Sequence, residues 1–160
     1  MNKHINRIIA LVAIFCISLG ESLSAQYNSK VSVLTCEPGS VIYTLFGHTA
    51  FRYQNYERGI DVVYNYGLFD FYAPNFELRY ALGQTDYMLG RTTFASFANA
   101  YRRYGRRIWE QEVIMSEAER DRLFALLEEN CLPENMVYRY NYFFDNCATR
   151  IVDKIEEAIG

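Results

Sequence analysis

Two runs rich in aromatic and β-branched residues, HTAFRYQ and GIDVVYNYG, stand on either side of the short polar segment NYER. Runs of this composition and length favour strands, and a connection of four or five residues predicts a hairpin. His48 opens the first of these two strands. The hairpin is the strongest constraint in the chain, because it requires a fold that contains an antiparallel sheet.

The remaining segments alternate between strand and helix patterns, which indicates an α+β fold. We predict further strands in KVSVLTC, TDYMLGRTT and RRIWEQEVI. We predict short helices in VIYTLF, capped by Ser40, and in APNFELRYALGQ, and a longer one in FASFANAYRRYG that stops at Gly105.

The C-terminal third carries the clearest helical signals. Ser116 and Glu119 form a capping box, which predicts a helix from Glu117 to Asn130 with an apolar stripe of Leu123, Leu126 and Leu127. The aromatic segment LPENMVYRYNYFF reads as a connector. The last segment, DNCATRIVDKIEEAIG, predicts an amphipathic helix with Ile151, Val152, Ile155 and Ile159 on its buried side.

The N-terminal segment has the pattern of a secretory signal peptide. Lys3 and Arg7 precede the apolar run IIALVAIFCISLG, which is too short to span a bilayer comfortably and ends in small residues. We therefore expect residues 1–25 to be removed on export and residues 26–160 to form one periplasmic domain. The chain has 16 basic and 19 acidic residues and a net charge of −3, so nucleic acid is not an expected partner.

Three of the four cysteines remain after export: Cys36, Cys131 and Cys147. The simplest arrangement in an oxidising compartment is a Cys36–Cys131 disulfide with Cys147 free, although a metal site or three reduced thiols also fit the spacing. The chain contains no CxxC or HxxxH spacing, so we predict no metal and no cofactor.

Cys147 and His48 are the candidate catalytic residues. Cys147 lies at the start of the last helix, next to Asp145 or Asn146 as the N-cap, and unpaired N–H groups there lower a thiol pKa and bind a developing oxyanion. Asp145 opposes this effect with its negative charge. His48 is the only histidine outside the signal peptide, and an imidazole facing such a thiol is the arrangement of papain-like enzymes.

A third residue usually orients the imidazole in such enzymes. A four-residue hairpin loop places Asn65 opposite His48, and a five-residue loop places Tyr66 there instead, because a slip of one residue changes the face. We predict Asn65 as the third catalytic residue, with Asp61 as the reserve.

Each of these residues also has a structural interpretation. His48 beside Gly47 can cap local backbone, and a cysteine at a helix start is often a small buried residue. The aromatics Tyr64, Tyr66, Phe69, Phe71 and Tyr72 are expected to be core and rim residues. The arginines Arg102, Arg103, Arg106 and Arg107 form a solvated turn or, alternatively, meet lipid phosphate.

The segments LTCEPGSVIYTLFGHTAFR, GIDVVYNYGLFDF, PNFELRYALGQTDYMLG and YRYNYFFDNCATRI resemble the Lnb N-terminal periplasmic domain family. The resemblance extends from about Ser32 onward and is sharpest in LFGHT and DNCATR. It implies a permuted papain-like fold, similar to NlpC/P60 proteins, with the histidine before the cysteine. On this sequence His48 matches the family base and Cys147 the family nucleophile.

The resemblance also implies a function, since members named Lnb are lipoprotein N-acyltransferases. We expect an exported thiol acyltransferase that acts on a phospholipid or on the lipidated N-terminus of a lipoprotein, at a membrane surface and through a thioester. The alternatives are a cell-wall amidase or peptidase with the same dyad, and a non-catalytic periplasmic binding module. Longer relatives continue into membrane-spanning helices, so we expect this chain to be a truncated form.

Overall fold

A computed structural model describes residues 28–41, 44–70, 72–141 and 143–160, apart from the side chains of residues 77 and 81. The predicted signal peptide lies outside these ranges. Within them, six strands and four helices follow in chain order: β1 (Ser29–Cys36), β2 (His48–Asn55), β3 (Ile60–Leu68), α1 (Phe76–Ala81), β4 (Asp86–Thr93), α2 (Phe94–Arg103), β5 (Ile108–Glu112), α3 (Glu117–Asn130), β6 (Val137–Arg139) and α4 (Cys147–Ile159). Each of these helices is too short or too polar to cross a lipid bilayer.

The strands form one sheet in the order β5-β1-β2-β3-β4-β6, and every neighbouring pair is antiparallel. The predicted α+β class with an antiparallel sheet is therefore confirmed. Antiparallel pairing places the ends of β1, β3 and β6 and the beginnings of β2, β4 and β5 at the same edge. We call this the site edge, because His48 begins β2 there and Cys147 begins α4 close by.

The two faces of the sheet carry separate apolar clusters, because successive side chains of a strand point to opposite faces. One cluster contains Phe51, Tyr53 and Tyr64, which pack with Leu123 of α3 and Ile151 of α4. The other contains Leu34, Cys36, Ala50 and Val63 together with Phe97 of α2. Helices α3 and α4 thus cover one face, and α2 contributes to covering the other.

Helix α3 matches its prediction at both ends. Its N-cap is Ser116, whose side chain accepts from Glu119 N–H, and Glu119 returns a bond to Ser116 N–H at 2.6 Å. The end of α3 is joined to the sheet by buried tyrosines, whose hydroxyls need a partner there. Tyr66 donates to Asn130 Oδ1 at 2.6 Å, and Tyr64 donates to Glu128.

The predicted aromatics divide between core and surface. Tyr64 and Tyr66 are fully buried, Phe69 packs against the same cluster, and Tyr72 is exposed. Phe71 lies outside the described residues. The prediction of core and rim aromatics agrees with these four positions.

Two local predictions differ from the structure. The aromatic connector contains β6, which pairs with β4 although it has only three residues. Val152 and Ile159 of α4 are more than half exposed, and the buried stripe is formed by Ile151, Ile155 and Ala158 instead. The predicted 41–46 helix falls partly outside the described ranges, because residues 42 and 43 are not described; its described residues make hydrogen bonds from Thr44 N–H to Val41 O and from Gly47 N–H to Thr44 O.

The expected Cys36–Cys131 disulfide is wrong. Cys36, Cys131 and Cys147 are all free thiols. Cys36 belongs to the cluster on the α2 face, whereas Cys131 packs against the cluster on the α3 and α4 face. The sheet therefore separates the two sulfur atoms, and burial raises the pKa of both thiols, that of Cys36 to about 11.

We expect alkylation in denaturant, without any reductant, to modify all three of these cysteines, as measured by peptide mass spectrometry. The Cys131→Ala variant should lose less stability in urea unfolding than the roughly 2–5 kcal/mol that removal of a native disulfide costs. Detection of a Cys36–Cys131 linked peptide that disappears when reductant is added would contradict this arrangement.

Candidate active site

Helix α4 begins at Cys147, and its cap is built from the residues on either side. Asn146 is the N-cap, and its side-chain oxygen accepts from Ala148 N–H at 2.9 Å and from Thr149 N–H at 3.1 Å. Thr149 Oγ1 in turn accepts from Asn146 N–H at 2.8 Å. Because Asn146 satisfies the second and third amides, the N–H group of Cys147 is the first-turn donor left facing outward from the cap.

Asp145, the other predicted cap, has a different partner. Arg150 binds its carboxylate through two hydrogen bonds of 2.5 and 2.8 Å, and the Arg150 guanidinium also stacks 3.6 Å from the ring centre of Tyr138. This ion pair compensates the negative charge that would otherwise oppose a thiolate at Cys147. It also joins the first turn of α4 to β6, because Tyr138 belongs to that strand.

The direction of the Cys147 side chain follows from the helix period. Cys147, Ile151, Ile155 and Ala158 occupy one stripe of α4, and all four contribute to the cluster under the helix. The stripe that packs α4 on the sheet therefore also turns the thiol toward β2. The Cys147 thiol is half-buried and lies close enough to the side chain of His48 for the imidazole to lower its pKa.

The other side of the imidazole is held by Asn65. His48 Nε2 lies 2.5 Å from Asn65 Oδ1, which places the predicted third residue in contact with the predicted base. The observed register differs from the one on which the prediction of Asn65 was based, since Phe51 pairs with Tyr64 and Asn55 with Ile60. This register brings Gly67, and not Asn65, opposite His48. The predicted register was wrong by two residues. A shift of two residues keeps each side chain on the same face of the sheet, so Asn65 reaches the ring diagonally.

Asp61, the reserve candidate, does not contact His48. Its carboxylate accepts two hydrogen bonds of 2.8 Å from Arg52, which also binds Glu110 at 2.8 Å and stacks over the Phe94 ring at 3.5 Å. Arg52 thus connects β2 with β3, β5 and α2. Asp61 therefore belongs to a structural group of charges around Arg52. This group gives Arg52, the arginine of the GHTAFR segment, a structural role outside the candidate site.

Opposing effects set the pKa of the Cys147 thiol. Burial alone raises this pKa, because a thiolate is poorly solvated in the interior. The hydrogen bond and the charge of His48, together with the backbone and hydroxyl of Thr49, lower it, and the net result is a pKa of about 7. A larger fraction of the thiol is therefore ionised at neutral pH than the few per cent of an ordinary cysteine.

Thr49 was not predicted as a site residue. It lies on the same face of β2 as Phe51 and Tyr53, beneath α4, and its hydroxyl is buried with no oxygen or nitrogen partner in the described part of the chain. The group that this hydroxyl faces is the Cys147 thiol. The ladder between β2 and β3 ends at Phe51 and Tyr64, so Thr49 of β2 lies beyond the last residues that pair with β3.

Two glycines with positive φ lie beside the site, and one of them makes space for the imidazole. Gly47 has φ +75°, and a Cβ there would lie 2.9 Å from the carbonyl oxygen of Cys36. Gly67 has φ +98° at a bulge in β3, and a Cβ there would lie 3.4 Å from His48 Cε1. Side chains are strained at both backbone conformations. The glycine before His48 was visible in the sequence, whereas Gly67 carried no signal without the register.

The fold and the site together define an α+β protein that brings Cys147, His48 and Asn65 together at one edge of its sheet. The chain belongs to the Lnb N-terminal periplasmic domain family, whose model matches residues 22–160. The description of this family agrees with the predicted periplasmic location. Searches of curated proteins and of solved structures found no match to this chain.

We expect the rate of Cys147 alkylation by iodoacetamide to rise with pH through a midpoint near 7, because the reactive thiolate is lost as the pH falls below the lowered pKa. An ordinary thiol gives a midpoint near about 8.5. The His48→Ala variant should move the midpoint upward, since it removes the largest of the effects that lower the pKa. A midpoint at the ordinary value in the unchanged protein would contradict the described contacts.

The Thr49→Val variant should also raise this midpoint, because valine keeps the shape of threonine and removes the hydroxyl that faces the sulfur. Thr49→Ser should retain the midpoint of the unchanged protein. Thr35→Val is the matched control, since Thr35 is the exposed residue opposite Thr49 on β1. Equal midpoints for Thr49→Val and Thr35→Val, each with an unchanged melting temperature, would show that the hydroxyl does not act on the thiol.

Proposed function

We propose that this chain is a thiol-dependent acyltransferase that N-acylates lipoproteins through an acyl-enzyme, with Cys147 as nucleophile, His48 as base and Asn65 as the residue that orients the base. One observation carries the proposal. The Cys147 thiol, at the start of a helix, has its pKa lowered to about 7 chiefly by the imidazole of His48, whose Nε2 lies 2.5 Å from Asn65 Oδ1.

The contact with Asn65 assigns the two nitrogens of His48. An amide oxygen only accepts hydrogen bonds, so Nε2 carries the proton that is donated to Asn65 Oδ1. Nδ1 then presents its lone pair toward the thiol and receives the thiol proton. The product is a thiolate beside an imidazolium, and each charge stabilises the other.

In the first half-reaction the thiolate of Cys147 attacks the carbonyl carbon of an ester in a phospholipid or in the diacylglyceryl group of a lipoprotein. The negative charge moves to the carbonyl oxygen, where the N–H of Cys147 is the available donor. The C–O bond then breaks, and the alkoxide leaves with the proton from Nδ1 of His48. A thioester on Cys147 and a free hydroxyl are the products.

In the second half-reaction the α-amine of the lipidated N-terminal cysteine attacks the thioester carbonyl. His48 accepts the amine proton at Nδ1, the C–S bond breaks, and the thiolate forms again. The acyl group is now held in an amide. The two steps balance without a metal, an oxidant or a cofactor.

The chain order supports a permuted papain-like arrangement. The helix that presents the cysteine packs on an antiparallel sheet that presents the histidine and the asparagine, as in thiol enzymes of this type. Here His48 and Asn65 precede Cys147, so the histidine strand comes first and the cysteine helix last. The resemblance to the lipoprotein N-acyltransferases named Lnb implies both this order and the acyl-transfer chemistry, and the chain belongs to the Lnb N-terminal periplasmic domain family.

A hydrolase is the second candidate, and one observation favours it. The side chains of His48, Asn65 and Cys147 are all only half-buried, so water has access to a thioester formed there. With water in place of the amine, the same residues would release a free acid or cut an amide of a cell-wall peptide. The two candidates differ in the acceptor and share the acyl-enzyme.

The deciding experiment measures N-acylation of a lipoprotein N-terminal peptide by mass spectrometry, in cells that depend on this protein. We expect Cys147→Ser and His48→Ala to reduce acylation by about 10²-fold or more, since each removes a reacting group. Asn65→Ala should reduce it by roughly 10²-fold, because a misplaced imidazole is a poor base.

Cys131→Ser is the matched control and should retain acylation, because the neighbours of the Cys131 thiol are Glu128 and Arg91, not His48. Unchanged acylation in the Cys147→Ser variant would overturn the proposal. A hydrolase would instead release peptidoglycan fragments or free fatty acid from purified substrates, without transferring the acyl group to the amine.

A further inference from the structure

The most exposed aromatic side chains of the described residues are gathered at the site edge. The five with the largest exposed fractions, from 81 to 97%, are Phe46, Tyr72, Tyr104, Phe143 and Phe144. Each lies in a connection that begins or ends at the site edge: β1 to β2, β3 to α1, α2 to β5, and β6 to α4. Exposed apolar groups that collect on one surface usually mark an interaction site.

The loop before α4 holds Phe143 and Phe144 in exposed positions. The amide groups of Phe143 and Phe144 both donate to Asn141 Oδ1, at 2.9 and 3.1 Å. Asn141 also exchanges two backbone hydrogen bonds with Asp145, of 2.8 and 3.1 Å, which close the loop. Asp145 is itself fixed by Arg150. The exposed rings of Phe143 and Phe144 therefore belong to residues whose backbone is hydrogen bonded close to Cys147.

Basic residues occupy the same edge. Arg106 donates to Glu37 O and Arg107 pairs with the Glu37 carboxylate, which joins the loop after α2 to the end of β1. Arg102 and Arg103, in the last turn of α2, are exposed and form no ion pair with the described residues. Positive charge is thus available at this edge in a chain whose net charge is −3.

We propose that the site edge docks on an anionic phospholipid surface, with Phe46, Phe143 and Phe144 inserted among the lipid headgroups and Arg102 and Arg103 on the lipid phosphates. Exposed aromatics together with unpaired guanidinium groups are the combination that binds such a surface. This surface deepens the proposed acyl transfer by naming the partner of the site. The docking is separable from the chemistry, because it does not require the thiol.

Docking in this orientation has a geometric consequence for the nucleophile. Cys147 follows Phe144 by three residues and begins the helix, while Phe46 precedes His48 by two. Rings buried at the boundary between headgroups and acyl chains bring both residues to the depth where phospholipid ester carbonyls lie. The substrate bond would therefore meet the thiol without complete extraction of the lipid from the bilayer.

The test is flotation of the purified protein with vesicles of phosphatidylglycerol and phosphatidylcholine. We expect binding that weakens as salt is raised and that is lower for phosphatidylcholine alone, because the arginines contribute through charge. The triple variant Phe46→Ser, Phe143→Ser, Phe144→Ser should need about tenfold more lipid for half-maximal binding. The double variant Arg102→Gln, Arg103→Gln should lose most of the salt dependence.

Ile114→Ser is the matched control, since Ile114 is 86% exposed but lies at the opposite edge, after β5. It should bind vesicles as the unchanged protein does, and Cys147→Ser should also bind normally. All the substituted side chains except Cys147 are exposed, so melting temperatures should be unchanged. Absence of vesicle binding, or equal losses in the triple variant and in Ile114→Ser, would overturn the proposal.

Two further outcomes separate this inference from the proposed function. Vesicle binding without an acyl-enzyme on Cys147 supports the docking surface and overturns the acyl transfer. An acyl-enzyme on Cys147 without vesicle binding supports the acyl transfer and overturns the docking surface. A protein that shows no vesicle binding but changes from dimer to monomer in the triple variant, measured by light scattering, would assign the aromatic edge to self-association and overturn the docking.

Discussion

The packing of α4 on the sheet is the interaction on which the site depends. Ile151, Ile155 and Ala158 bury one stripe of the helix, and Cys147 continues that stripe at the first turn. The hydrophobic effect therefore orients the thiol, since the contacts that stabilise the helix also point the sulfur at β2. The Arg150 ion pair and the Asn146 cap then fix the end of the helix, so the thiol lies against His48 with a lowered pKa.

The sheet contributes its part through register. His48 and Asn65 come from adjacent strands, and their contact requires that β2 and β3 pair with the correct parity. The arginine network centred on Arg52 of β2 stabilises that pairing, because Arg52 binds Asp61 of the neighbouring β3 and reaches Glu110 of β5 across β1. The bulge at Gly67 then opens β3 beside the ring. Structural and functional residues alternate along the same two strands.

Much of this arrangement was accessible from local patterns. The capping box fixed α3, the alternating runs located five of the six strands, and the lone histidine and the helix-start cysteine identified the pair that meets. The failures have physical causes. β6 is three residues long and exists only because β4 offers a free edge, and Val152 and Ile159 satisfy the apolar pattern without facing the sheet. The disulfide failed because sequence spacing does not show which face of a sheet a cysteine occupies.

By itself the sequence determined the residue types, the strand and helix periods and the presence of one imidazole and one thiol at element boundaries, because these depend on near neighbours in the chain. The tertiary structure alone decided which groups touch. It placed Asn65 in contact with the imidazole through a register that differs by two residues from the predicted one. It also paired Asp61 with Arg52 and placed the buried hydroxyl of Thr49 near the sulfur. Such contacts join segments up to about a hundred residues apart, and they are set by how helices and sheet pack together.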